Sequence, residues 1–339
     1  MIAMAEPDGE REDYDLRLDD VVMAIRERAC KRVLLQFPEG LKGKALQARN
    51  TIEEATDAEV IIYADTCYGA CDLPHVQDMG IDLIVQFGHS EMGDANCGVP
   101  VMFIEAHSTV DVLLAVDKAL PRLGKSVGLI TTAQHVHELE KVKEFLGEKG
   151  VKAKIGQGTK RVPNKGQVLG CNLSSAISIA NDVDCFLYIG SGNFHPIGVA
   201  MATEKPVICA DPFINEVRDV EELKNRLLRQ RHGAITQAQD ADSFGILVGT
   251  KPGQQRLGLA LNLKELAQKN SKKTAILLLN EFGPMKLKSF SFKAYVSTAC
   301  PRIALDDYAM YDVPILTPLE FRIVLGESRW EDYRYDEFL

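Results

Sequence analysis

Short apolar runs recur along this chain, and each closes on Gly, Pro or a polar cluster. KRVLLQFPEG at 31–40, AEVIIYAD at 58–65, IDLIVQFGHS at 81–90 and VPVMFIEA at 99–106 form one series. KSVGLITTAQH at 125–135 opens a second, continued by VKAKIGQGT at 151–159, DCFLYIGSGNFHP at 184–196 and KPVICADP at 205–212. A third begins with FGILVGTKPGQQ at 244–255 and runs through TAILLLNEFGP at 274–284, FKAYVSTACPR at 292–302 and VPILTP at 313–318. Runs that are continuously apolar, rather than alternating, predict strands buried on both faces. Helix-like stretches fall between them: residues 41–56, a face of Val136, Leu139, Val142, Phe145 and Leu146, and a helix through Leu257, Leu261, Leu263 and Leu266.

This pattern predicts an α/β protein built of three similar small domains, each a parallel sheet with flanking helices, arranged around a central site. The expected division is an acidic N-terminal tail at 1–15, then domains at 16–107, 108–215 and 216–339, the last carrying a C-terminal tail. Trp330, Tyr333, Tyr335 and Phe338 give that tail, RWEDYRYDEFL, too much aromatic surface to leave in water, so it is expected to pack on the protein. Ligands of open parallel sheets gather outside the carboxyl ends of the strands. The chemistry is therefore sought at QFPEG, CYGACD, FGHS, TTAQH, IGSGNFHP, ADP and TACPR.

Three cysteines stand in such regions, one per series: Cys71 in ADTCYGACDLP, Cys171 in GQVLGCNLSSA and Cys300 in AYVSTACPRIALDDY. No local finger or ribbon can gather residues so far apart, and they can meet only through the whole fold. Three thiolates on one centre would hold a cubane iron–sulfur cluster with one iron free of protein ligand and open to chemistry. Structural zinc normally takes four protein ligands, often in close pairs, and fits this spacing less well. Cys30, Cys185 and Cys209 lie within apolar periodicity and read as core. Cys67 and Cys97 are loop thiols whose roles stay open. Cys67 and Cys71 form C-x3-C, but position 74 is Pro, so the C-x3-C-x2-C run of radical enzymes is missing.

Charge narrows the classes. A net charge of −9 argues against broad nucleic-acid binding, which depends on phosphate neutralisation by Lys and Arg. The apolar runs are strand-length, so no membrane span is expected. MIAMAEPDGEREDYD has no apolar core behind a basic segment and is not a secretory signal. Eight cysteines without an export signal suggest a reduced, cytoplasmic protein.

Seven motifs then occur in order: QFPEGL at 36–41, YGACD at 68–72, GHS at 88–90, TTAQH at 131–135, GQVLGCN at 166–172, GSGNFHP at 190–196 and ACPRIALDDY at 299–308. With these the chain resembles the archaeal 2-(3-amino-3-carboxypropyl)histidine synthases of diphthamide biosynthesis. The resemblance implies a 4Fe-4S cluster held by Cys71, Cys171 and Cys300, with S-adenosylmethionine as substrate at the unique iron. It implies reductive C–S cleavage that gives methylthioadenosine and transfers the 3-amino-3-carboxypropyl group to a histidine of translation elongation factor 2. A homodimer and an external electron donor belong to the same expectation.

Strand-end polar groups are the candidates for the sulfonium substrate: Gln36, Glu39, His89, Gln134, His135, Ser191 and His195. His137 is expected to face solvent. GSGNF looks like a phosphate-cradling loop but lacks the G-x-x-x-x-G-K pattern, so triphosphate hydrolysis is rejected. Two other readings remain on residues alone. One is a quinolinate-synthase-like dehydratase using an open iron as Lewis acid. The other is a non-catalytic subunit that binds metal or transfers electrons.

Overall fold

The computed structural model describes residues 13–93 and 96–338. Three sheets carry the three series. The first contains Arg32–Gln36, Glu59–Tyr63, Leu83–Phe87 and Val101–Ile104, and the third contains Ser243–Gly249, Lys273–Leu279, Ala294–Ser297 and Ile315–Leu316; all their pairings are parallel. The second contains Ser126–Thr131, Lys152–Ile155, Cys185–Ile189 and Val207–Asp211, also parallel, with Glu216–Asp219 added antiparallel at its edge. In each sheet the second strand of the series lies outside the first, followed by the third and fourth. The chain therefore reverses direction of winding between first and third strands three times over. Such a switch point opens a crevice at the strands' carboxyl ends.

Alternate residues of each strand enter cores on opposite faces. Val33, Leu35, Leu83 and Val85 join one core and Leu34 and Ile84 another; Val127 and Leu129 oppose Ile130, and Ile246 and Val248 oppose Leu247. Burial on both faces is why the runs are apolar without alternation. Each first strand also leads through a 3-10 turn, Glu39–Lys44, Ala133–Glu138 or Pro252–Gln254, into a helix: Ala45–Ala55, Leu139–Glu148 or Leu257–Lys269.

The third of these helices buries a different face from the one expected. Leu257 and Leu261 are each 47% exposed, while Ala260, Leu263 and Ala267 face the sheet. Spacing of i, i+3, i+7 puts those three on one stripe, and the two alanines let the helix lie close. Cys185 and Cys209 are core residues as expected, and Cys30 is half-buried.

Residues 1–12 of the expected acidic tail lie outside the described residues. Tyr14–Asp15, just beyond them, pairs antiparallel with His107–Ser108. At the other end, the Trp330 and Tyr333 rings stack at 4.7 Å and Tyr335 and Phe338 are buried, so the C-terminal segment packs on the protein. Among the described residues no helix is long and apolar enough to cross a membrane.

Candidate active site and metal centre

The loops beyond the strands' carboxyl ends enclose one cavity of about 350 Å³, and its wall contains Cys71, Cys171 and Cys300. Cys71 comes from the connection between the second and third strands of the first sheet, Cys171 from the same connection in the second sheet. Cys300 follows the third strand of the third sheet. No disulfide engages any of them.

Burial pushes all three thiols above the usual range, Cys171 to about 11, and the neighbouring sulfurs push Cys171 and Cys300 further in the same direction. Opposing this, Gln254 Nε2 donates to Cys71 Sγ at 3.4 Å, Arg161 and Arg256 act on Cys171, and Arg302 acts on Cys300. Three neighbouring half-buried sulfurs in a partly cationic setting are costly as free thiolates and suit a metal that deprotonates its ligands. Among the described residues, no group of His, Cys, Asp or Glu converges tightly enough for a single ion. A cubane cluster does not ask for that, because each thiolate binds a different iron. The residues present therefore fit a multi-iron centre better than a zinc site.

The Cys71 loop is fixed from below and from the side. Buried Gln36 donates through Nε2 to the Asp72 carbonyl at 2.7 Å and accepts from Gln86 at 2.9 Å. Lys251, buried at the end of the third sheet's first strand, meets the Asp72 carboxylate at 2.8 Å and that of Glu281 at 2.6 Å. Gly253 lies so close that a Cβ there would overlap the Cys71 side chain and Met92.

Of the seven polar candidates, His89, Gln134 and His195 line the cavity. Burial lowers both histidines to about 4, with Arg302 assisting at His195, so both are neutral at pH 7. Gln134 is already engaged: Nε2 donates to the Gly88 carbonyl at 2.7 Å, and Oε1 accepts from Thr132 at 2.8 Å. The other four lie off the wall. Gln36 is spent on the Asp72 carbonyl, and Glu39 is exposed and paired with Lys42 at 2.5 Å. His135 is buried, its Nδ1 without a hydrogen-bond partner among the described residues and its ring edge-on to Phe213. Ser191 is exposed and donates to Asp211 at 2.9 Å, while Arg218 donates to Gly192 and Asn193 of the same loop. GSGNF thus has its polar groups satisfied within the protein. His137 is exposed and stacks on His107 at 4.4 Å.

Sequence reasoning passed over Arg302, the cation among the lining residues, although it sits two residues beyond Cys300. It also passed over Lys251 at the polar end of FGILVGTK, and a hydrogen-bonded group of Ser90, Gln167, Asn164 and Glu105 at the wall. Arg302, Lys251, Ser90, Gln167 and Glu105 lay within quoted strands or motifs, with only their partners hidden, whereas Asn164 falls between two of those segments. Gly170 makes room for the ring of Phe194, which a Cβ would overlap. Cys67 is buried 3.9 Å from His89 and off the wall, and Cys97 belongs to the first sheet's second core.

Three parallel α/β units presenting one cysteine each to a shared cavity define a class of metal-dependent α/β enzyme. The chain belongs to the diphthamide synthesis protein family, which it matches over residues 37–336. It is 37% identical to the 2-(3-amino-3-carboxypropyl)histidine synthase of Pyrococcus horikoshii, over 96% of this chain and 94% of that one. It is 29% identical to 2-(3-amino-3-carboxypropyl)histidine synthase subunit 1 of Gallus gallus, over 94% and 78%. The crystal structure of Dph2 from Pyrococcus horikoshii with a 4Fe-4S cluster is similar at a TM-score of 0.88 and 36% identity, over 96% of this chain and 94% of that chain.

Proposed function

We propose that this cavity is the active site of a 2-(3-amino-3-carboxypropyl)histidine synthase, with Cys71, Cys171 and Cys300 holding its 4Fe-4S cluster. The enzyme transfers the 3-amino-3-carboxypropyl group of S-adenosylmethionine to a histidine of translation elongation factor 2, the first step of diphthamide biosynthesis. The observation that carries the ligand assignment is the meeting of three thiols from three units on one cavity wall.

When bound, the cluster supplies an electron for reductive C–S cleavage at an iron free of protein ligand. The chain's own residues bind, orient and exclude water. A cavity of about 350 Å³ falls in the range of small-molecule sites. His89 and His195, held neutral, add no charge repulsion against a sulfonium. Arg302 presents a guanidinium suited to the substrate carboxylate, braced by Asp306 at 3.1 Å. Gln134 ties the Gly88–His89 turn to the second unit. Gln36 and His135 act, in this reading, from behind the wall, while Glu39 and Ser191 lie outside the site. Orientation of the sulfonium decides which C–S bond lies in line for cleavage.

A homodimer, a separate electron donor, a cytoplasmic location and domain divisions at 107/108 and 215/216 complete the proposal. Anaerobic purification followed by iron and sulfide analysis tests the centre. Turnover with dithionite and the matching elongation factor should yield methylthioadenosine and a modified histidine. An iron-free protein, or 5′-deoxyadenosine as the main product, would overturn the reading.

A further inference from the structure

The C-terminal segment touches four consecutive residues of the Cys171 loop. Tyr335 OH donates to the Gly170 carbonyl and the Phe338 N–H to the Cys171 carbonyl, each at 2.7 Å. Asn172 Nδ2 donates to the Phe338 carbonyl at 2.8 Å, and the Leu173 N–H to Glu337 at 2.7 Å. Asp336, between these contacts, turns the other way and receives the Arg256 guanidinium in a fork at 2.6 and 3.1 Å. Arg256 in turn donates to the carbonyls of Thr298 at 2.5 Å and Ala299 at 3.1 Å, the two residues before Cys300. The same guanidinium lies 3.9 Å from the centre of the buried Phe338 ring, with Arg161 at 5.1 Å from that ring.

We infer that residues 335–338 and Arg256 form a latch that sets the Cys171 loop against the Cys300 loop, making Arg256 and Asp336 positioning residues for the metal centre. The inference rests on the proposed cluster. Its physical basis is the number of independent bonds that cross from the second unit to the third through one short segment. A bidentate carboxylate–guanidinium pair fixes direction as well as distance. Six further hydrogen bonds and a cation over an aromatic ring leave the two loops little freedom to separate. The Cys71 loop is held instead by Lys251 through Asp72, with Gln254 on the Cys71 sulfur, and none of these is a latch residue, so loosening the latch should disturb two thiols of the three.

Alkylation of the iron-stripped protein, read residue by residue by mass spectrometry, tests this without the cluster. Deleting residues 335–339, or replacing Arg256→Gln, should raise modification of Cys171 by about tenfold while Cys71 changes by less than about twofold, as local opening of one region requires. In the iron-loaded protein the same variants should release iron to a chelator faster and shift the cluster's electron paramagnetic resonance, with Arg256→Lys restoring part of both. Equal alkylation of Cys171 in variant and full chain, or an equal rise at Cys71, would overturn the latch. Should the deletion unfold the chain, seen as modification of core Cys209, Asp336→Asn carries the test with the same two outcomes. If the full chain takes up no iron, the cluster reading fails and the alkylation result still decides the latch.

Discussion

The Cys71 loop is pinned across units by one buried ion pair, and the Cys171 loop by several separate hydrogen bonds to the C-terminal segment. Beside Cys71, one buried ammonium, Lys251, satisfies both Asp72 and Glu281. Around Cys171, the Gly170 and Cys171 carbonyls, the Asn172 side-chain amide and the Leu173 N–H meet the chain's C-terminal segment through four hydrogen bonds. The two solutions fail differently. Removing one partner of a buried ion pair strands the other charge, whereas separate hydrogen bonds are lost one at a time at about 1 kcal/mol each. The first loop should therefore collapse at a single substitution and the second should loosen by degrees.

The largest effect expected is on the centre itself. Cys71→Ala, Cys171→Ala and Cys300→Ala should each abolish the intact cluster and turnover, measured by iron content and methylthioadenosine release. Cys67→Ala, off the cavity wall, should keep its iron; equal iron loss there would transfer the ligand role away from Cys71.

Lys251→Met comes next. It should lower stability to denaturant by about 3–5 kcal/mol, because Asp72 is left buried without its cation. Adding Asp72→Leu should return much of that loss, and a simple sum of two penalties would refute the pairing as the cause.

A smaller effect follows from His135, which burial holds at about 4, with His137 assisting. Its folded pKa lies below the unfolded value, so the unfolded chain binds the proton more readily. Stability is complete above about pH 6.5 and declines as pH falls toward 4, by about 1 kcal/mol from this residue at pH 5.5. His135→Phe should flatten the stability curve between pH 7 and 5 by about 2 kcal/mol; an unchanged curve would mean the imidazole is not held neutral.

Tyr335→Phe is the mildest. It removes one hydroxyl bond to the Gly170 carbonyl and should cost about 1 kcal/mol with iron retained. A stability loss comparable to that of Lys251→Met would erase the contrast between the two loops.

The three-unit architecture was legible because strands buried on both faces need continuous apolar runs, and that requirement is written locally. That Cys71, Cys171 and Cys300 reach one cavity was legible for a similar reason: thiols beyond strand ends are chemically distinct from thiols inside strands, as Cys185 and Cys209 illustrate. Polar side chains at strand ends carry no such label. Gln36 and His89 look alike in sequence as polar residues closing an apolar run, yet one hydrogen-bonds behind the wall and the other lines it.

By itself, then, the sequence determined where the strands lie, that they repeat three times, and which three thiols stand at comparable places. Only the tertiary structure decided what holds those thiols. Lys251 and Asp72 are 179 residues apart, and Arg256 and Asp336 80 apart, with no local pattern linking either pair. The face of the Leu257–Lys269 helix was likewise settled by the sheet beneath it, which accepts Ala260 and Ala267 and leaves Leu257 and Leu261 in water. Periodicity records how a residue relates to its neighbours in the chain; contact between distant segments depends on packing that no single segment encodes.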